Sequence, residues 1–331
     1  MVLPSRLKQI ALVVTTIVAL VLPLVMRDGY LLGVVISAYI TAIAVYGLNV
    51  LVGFTGQLSL AHAGFFGIGG YTAGLLMVNG VSFWLALPAA LALTGTIAFF
   101  VGMIALRTRG AYFAVFTLAL GVIITISIER WESVTGGTDG LIGIPPPAAI
   151  GPITFTSLAA QYYLVLAFLA LTIYVSVSIA QSLVGRSFIA IRQSENLARA
   201  IGIDVGRTMR LSFVISATFA GLAGVLYASY LGYIGPGMSS VAMTFRMLFF
   251  LMLGGAGSLA GPLVGTLLIS MAMQALQAFE QYQLVLLGPL LVVIMIFFPN
   301  GLAGIWGSLE DRWRLRQLRA QPTVPRADEA H

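Results

Sequence analysis

The residue best suited to chemistry in this sequence is His62. It sits in the glycine-rich stretch GFTGQLSLAHAGFFGIGGYTAG, Gly53 to Gly74, a few residues after Gly56, Gln57 and Ser59. An imidazole among apolar residues can relay protons, and carriers coupled to protons or ions bury Asp, Glu or His because the relay must titrate within the membrane. The rest of the chain gives such a relay little support. Its other histidine is the last residue, His331, and no acidic residue lies well inside an apolar run: Glu129 ends one and Glu280 falls between two. A neutral His62 satisfied by a neighbouring helix is therefore preferred over a relay. A sodium site built from unwound backbone carbonyls leaves little mark in a sequence and stays open.

Enzymatic chemistry is not expected. With no cysteine, disulfide frameworks and thiolate metal sites are excluded. A phosphate-binding P-loop needs a lysine, and the one lysine, Lys8, is in the wrong context. No HExxH, GxSxG or Cys/His cluster is present. No catalytic residue, metal site or cofactor is expected on this chain, and if ATP drives the protein another polypeptide hydrolyses it.

The elements that must position these residues are membrane helices. Hydrophobic residues make up 59% of the 331, charged residues only 8%, and the mean hydropathy is +1.01; a soluble domain carries about 25% charged residues. Apolar blocks of the length a bilayer requires fall at 10–26, 30–52, 60–78, 83–105, 111–128, 162–181, 211–231, 244–258, 261–277 and 283–299. The first block is short enough for a signal-peptide core, but no small-residue cleavage site follows, so it reads as an uncleaved helix. The expected fold is an all-α polytopic membrane protein with about 10 transmembrane helices, some of them glycine-interrupted.

The net charge of +6 is a topology signal and points to no nucleic acid. All but three of the 17 basic residues fall on one side of a ten-span arrangement, around Arg6, Arg107, Arg192 and the tail; Arg27, Arg130 and Arg246 are left on the other. Under the positive-inside rule both termini are cytoplasmic. The outer loop 129–161 contains TGGTDGLIGIPPP, whose Gly and Pro favour a turn-rich cap over a long helix. The inner loop 182–210 predicts a helix over Ser187–Ile201, stopped by Gly202. Phe188, Ile191, Glu195 and Ala198 share one stripe of it, and Arg192 and Arg199 flank that stripe. From these residues alone it is an interfacial anchor or a docking knob for a soluble partner. Residues 306–331 form a basic, partly disordered tail.

Glycine at membrane depth either lets helices approach closely or lets a helix break where protein or a water path satisfies the freed groups. The Gly53–Gly64 segment and the later MLGGAGSLAGPLVG, with Gly257 and Ser258, both fit an interrupted helix. Paired interruptions in two parts of a transporter point to its path. Gly56, Gln57, Ser59, His62, Gly257 and Ser258 are the path candidates, against the alternative that both segments are helix packing.

Longer motifs carry a resemblance. GLNVLVGFTGQLSLAHAGFFGIGGYTAGLL, RTRGAYFAVFTLALGVIITISIERWESVTGGTDGLIGIPPP, AIRQSENLARAIGIDVGRTMRLSFVISATFAGLAGVLYASYLGYIGP, MLGGAGSLAGPLVG and FFPNGL are similar, in that order over about residues 30–305, to LivM-type permease subunits of branched-chain amino acid ABC importers. The resemblance implies that residues 1–305 form a single transmembrane permease domain in the bacterial cytoplasmic (inner) membrane. It implies a second, LivH-like permease subunit, two ABC ATPase subunits carrying ATP and Mg, and a periplasmic or lipid-anchored substrate-binding protein as partners. It implies that the ENLARAIGI region docks on an ATPase, with Arg192, Glu195 and Arg199 making polar contacts while Ile201 and Gly202 shape the turn. It also gives Gly136, Gly137 and Asp139 a place at the outer gate or against the binding protein. The expected cargo is branched-chain or other hydrophobic amino acids. The alternatives are the same machine carrying urea or short amides, and a self-sufficient secondary carrier.

Overall fold

The structure is a computed structural model that describes residues 17–26, 28–152, 154–275 and 301. Helix α1 is seen over residues 17–25. Asp28 then caps Tyr30 N and opens α2, Gly29–Leu48, which continues without a break into a π-helical turn, Asn49–Phe54. There follow α3 (His62–Val78), α4 (Phe83–Ala105), α5 (Ala111–Arg130), a short α6 (Glu132–Thr135) and α7 (Leu158–Gln181). The chain continues through α8 (Leu183–Gln193), α9 (Glu195–Ala200), α10 (Val205–Leu231), α11 (Val241–Gly254) and α12 (Gly261–Ala275).

Five of these segments are long and apolar enough to cross a membrane: Gly29–Phe54, α4, α5, α7 and α10. The protein is an all-α multi-pass membrane protein. The 17 residues of α3 and the 14 of α11 rise only about 25 Å and 21 Å at 1.5 Å each, which makes them short against a hydrocarbon core of about 30 Å. The expected span 283–299, the tail 306–331 and most of the first span lie outside the described residues.

Capping residues move several expected boundaries. Ser157 Oγ accepts from Ala160 N, so α7 begins four residues before the apolar run does. Asp204 accepts from Arg207 N at 3.0 Å and starts α10 at Val205, so the basic residues Arg207 and Arg210 are helical and not part of a loop. Similarly, Ser240 starts α11 at Val241, three residues before the expected span 244–258, and Arg246 lies inside that helix.

The packing has a centre and a periphery. In the most apolar window of α2 and of α10, 72% of residues are buried, against 22% in α4, α5 and α7. Those three turn large apolar side chains outward, among them Leu85, Phe100, Ile104, Ile123, Leu171 and Tyr174. Such an exterior suits lipid and would be an aggregation surface in water.

At the centre, α10 crosses α3 and α2. It runs parallel to α3, since His62 meets Ser216 and Gly70 meets Gly224 one step further along both. It is antiparallel to α2, where Gly47 faces Ser216 and Gly33 faces Tyr230. The α3–α10 crossing is backbone on backbone: a methyl on Gly69 would overlap Gly221, and one on Gly224 would overlap the Phe66 carbonyl. Small residues are how membrane helices gain dispersion contact where no hydrophobic force separates helix from lipid.

One feature had no sequence expectation. Leu141–Ile142 (β1) pairs antiparallel with Tyr233–Ile234 (β2), tying the α6–α7 connection to the α10–α11 connection. This strand pair marks one end of the bundle; α8 and α9 mark the other.

Candidate functional site: a clamp between two broken segments

The two glycine-rich segments meet at the α8–α9 end of the bundle, and the residue that joins them is Asn49. Its Oδ1 accepts from Gly257 N at 2.7 Å and its Nδ2 donates to Ser258 O at 2.8 Å. One turn earlier Tyr46 donates its hydroxyl to Leu259 O at 2.8 Å. The loop between α11 and α12 thus hangs from the last turns of α2. Asn49 is 2% exposed, and a buried amide that satisfies both a donor and an acceptor fixes its partners in register. Gly56 (φ +74°) and Gly257 (φ +85°) adopt the left-handed backbone that lets each segment turn.

After Gly56 the chain runs non-helically to Ala61, and its polar backbone is met inside the protein. Gln57 N reaches Leu51 O at 3.2 Å and Leu60 N reaches Thr117 Oγ1 at 3.0 Å. Ser59 is buried, Gln57 half-buried and Gly56 exposed. His62, 1% exposed, is packed between helices. Its Nε2 donates to Ala44 O at 2.8 Å, which leaves Nδ1 to accept from Ser216 Oγ at 3.4 Å. No carboxylate is among these partners. Ser258 is occupied locally: Oγ donates to Gly255 O and accepts from Gly261 N, both at 2.9 Å, capping α12.

The helical inner loop is wired into this clamp. The expected helix over Ser187–Ile201 is two helices, because Ser194 leaves helical geometry (φ −163°, ψ 113°) and its hydroxyl caps Leu197 N. A serine offers its own hydroxyl to the backbone, an alternative to continuing the helix. In α8, Phe188 is fully buried against Val50 and Phe54 of the π turn. Arg192 donates to Gly53 O, and its stem lies against Gly56.

Glu195 pairs with Arg109 of the α4–α5 turn and, at 3.8 Å, with Arg199. Of the residues expected at the docking surface, Arg192 turns inward to the clamp and Glu195 pairs within its own chain. The bend between α8 and α9 forms an elbow, which shows Leu197, 62% exposed, and Ile201, 65% exposed, to solvent next to Arg199. Gly202 (φ +87°) makes the turn after α9 with open space around it.

At the opposite end, Gly136 (φ +76°) and Gly137 (φ +60°) turn the chain after α6. Thr135 holds that turn through hydrogen bonds to Ile128 O at 2.6 Å and Trp131 O at 2.8 Å. Asp139 is exposed. Gly143 N and Ile144 N share the Gly232 carbonyl at 3.1 Å, so this stretch is a structured cap anchored to α10.

A cavity of about 530 Å³ opens towards the same end, between α2, α10, α11 and α12. Arg246, Tyr227, Met238, Met243 and Phe250 line it. The size lies within the usual range of small-molecule sites, about 300–1,000 Å³.

Comparison with known proteins places this geometry. Residues 30–295 match the family described as branched-chain amino acid transport system / permease component. The chain belongs to this permease family. It is 32% identical over 280 residues to the high-affinity branched-chain amino acid transport system permease protein LivM of Escherichia coli (strain K12), an alignment covering 77% of this chain and 66% of LivM. It is 27% identical over 301 residues to the permease protein LivH of the same strain, covering 84% of this chain and 94% of LivH. It is 26% identical over 229 residues to the autoinducer 2 import system permease protein LsrC of Enterobacter sp. (strain 638), covering 66% of this chain and 64% of LsrC. The chain therefore matches just under two thirds of the length of LivM. No solved structure matches it.

Within this permease, composition located both broken segments and the elbow, but missed Asn49, Tyr46 and Arg246. Asn49 had one available signal: it is a lone amide in the apolar run AVYGLNVLVG, where an unpaired polar group is costly and must find partners.

Proposed function

We propose that this chain is the membrane-spanning permease subunit of an ATP-driven, binding-protein-dependent importer of branched-chain or other hydrophobic amino acids. In this reading both termini and the α8–α9 elbow are cytoplasmic, in the inner membrane of a bacterium, and the strand-pair end is extracytoplasmic. The partners are a second, LivH-like permease, two ABC ATPases that carry the ATP and Mg, and a periplasmic or lipid-anchored binding protein.

The observation that carries the reading is the elbow's double connection. Its outer surface is apolar and unsatisfied at Leu197 and Ile201, while its inner surface grips the π turn through Phe188 and Arg192. A push on that surface reaches Gly53, Asn49 and the α11–α12 loop through direct contacts. Movement of the elbow would then shift both broken segments together, and the path candidates Gly56 and Gln57 with them. The names of the LivM and LivH relatives support the cargo class.

Affinity purification of the tagged chain from its native membrane, followed by mass spectrometry, tests the assembly. Recovery of two P-loop ATPases and a related second permease is the expected result. Recovery of the chain alone, with uptake in liposomes that contain nothing else, overturns it in favour of a secondary carrier.

A further inference from the structure

We propose that Arg246 is the carboxylate-recognising residue of the transport path, and that the cargo passing the outer cavity must carry a carboxylate. The inference rests on the importer reading and narrows its substrate class.

Helix α11 reads VAMTFRMLFFLMLG, with Arg246 its one ionisable residue. The helix does not begin at the rim of the bundle. Just before it, the 3-10 turn Pro236–Ser239 is embedded: Thr125 Oγ1 donates to Ser239 O at 2.9 Å, and Ser239 lies against Gly67. Further in, Ala63 N donates to Thr244 Oγ1 at 3.0 Å, next to His62 and level with Ala44 and Ser216, near the middle of the continuous span Gly29–Phe54 and of α10. Arg246 comes two residues after Thr244.

An arginine at such depth is expensive and is kept where it lines a watery cavity or meets a counter-charge. Among the described residues no carboxylate pairs with Arg246, and none lines the cavity into which it is exposed. The guanidinium is thus available to a ligand. Its planar fork of donors matches a carboxylate in two parallel hydrogen bonds, a geometry that an amide or urea cannot return with equal charge.

The remaining lining suits the other half of an apolar amino acid. Met238, Met243 and Met273 face the same space, and thioether chains adapt to side chains of different branching. Among the described residues a cationic cargo meets no acidic lining group, and it is repelled by Arg246. The cavity therefore favours a zwitterion with an apolar side chain over urea, short amides or basic amino acids.

The test uses the assembled importer in proteoliposomes. Arg246→Gln is expected to lower ATP-driven leucine uptake at least tenfold while the ATPases and second permease still co-purify; Arg246→Lys should retain an intermediate rate. The naturally cysteine-free chain allows a second readout at the cavity-lining Ser37→Cys. With Arg246 present, an anionic methanethiosulfonate should label it faster than a cationic one, and millimolar leucine, but not urea, should slow labelling. Both effects should vanish with Arg246→Gln.

Unchanged uptake and an unchanged reagent preference in Arg246→Gln would overturn the proposal. So would loss of uptake together with loss of the second permease, which would show that Arg246 pairs with a partner's carboxylate. If the unsubstituted assembly gave no ATP-driven uptake while leucine still protected the cysteine, the importer reading would fail and Arg246 would stand.

Discussion

Asn49 holds two loops with one amide, so its removal strands two backbone groups at once. A buried polar group left unpaired costs about 1–3 kcal/mol. Asn49→Leu, which orphans both Gly257 N and Ser258 O, should lower stability by roughly 2–6 kcal/mol, read as an earlier unfolding transition in detergent. Asn49→Asp keeps the acceptor for Gly257 N and sets a carboxylate against the Ser258 carbonyl; uptake should fall in both variants. His62 calls for a different outcome. Its ring is satisfied by Ala44 and Ser216, with no acid beside it among the described residues, so His62→Gln should leave the pH profile of uptake unshifted. A shifted profile would restore the relay.

Among the elements, the elbow and the α3–α10 crossing separate binding from folding. Leu197→Glu with Ile201→Glu changes side chains that are 62% and 65% exposed. The unfolding temperature should barely move while co-purification of the ATPases is lost; retention of the ATPases would refute the docking surface. Gly224→Val does the opposite. The added carbons collide with the Phe66 carbonyl, a backbone atom that cannot rotate away, and overpacking of this kind costs about 1–3 kcal/mol or more. Poor yield of folded protein is expected with the elbow surface unchanged.

The same elements show what a sequence makes readable. Helices α2, α4, α5, α7 and α10 follow from apolar run length, and Gly56 and Gly257 mark real breaks because only a glycine turns there without strain. The break at Ser194 was hidden, since a serine inside good helix formers gives no periodic signal until its hydroxyl is seen to cap Leu197 N. Arg246 fell inside the expected span 244–258, but its place in a cavity went unseen because charge counting only assigns a side to each arginine. The strand pair is two residues long on each side, too short for any alternation to register.

At the scale of the molecule, the strand pair and the elbow should report opposite sides of the membrane. Thr138→Cys should react with an impermeant thiol reagent added to intact spheroplasts, and Ile201→Cys only after the membrane is opened; the reverse pattern would invert the topology. The pairing of Ile142 with Tyr233 adds a connectivity test. An Ile142→Cys, Tyr233→Cys chain should close a disulfide under mild oxidation, so that fragments cut between α7 and α10 migrate together until reduced.

The parallel contact between α3 and α10 also sets a timetable for biosynthesis. Ser216 follows His62 by 154 residues, which at about 5–20 residues per second is roughly 8–30 seconds of translation. Through that interval the imidazole and the glycine face of α3 have been made, but the helix that covers them has not. Nascent chains stalled before α10 would offer the cell's membrane proteases a polar, unsealed helix, and completion of α10 is the moment at which this permease ceases to be a substrate for quality control.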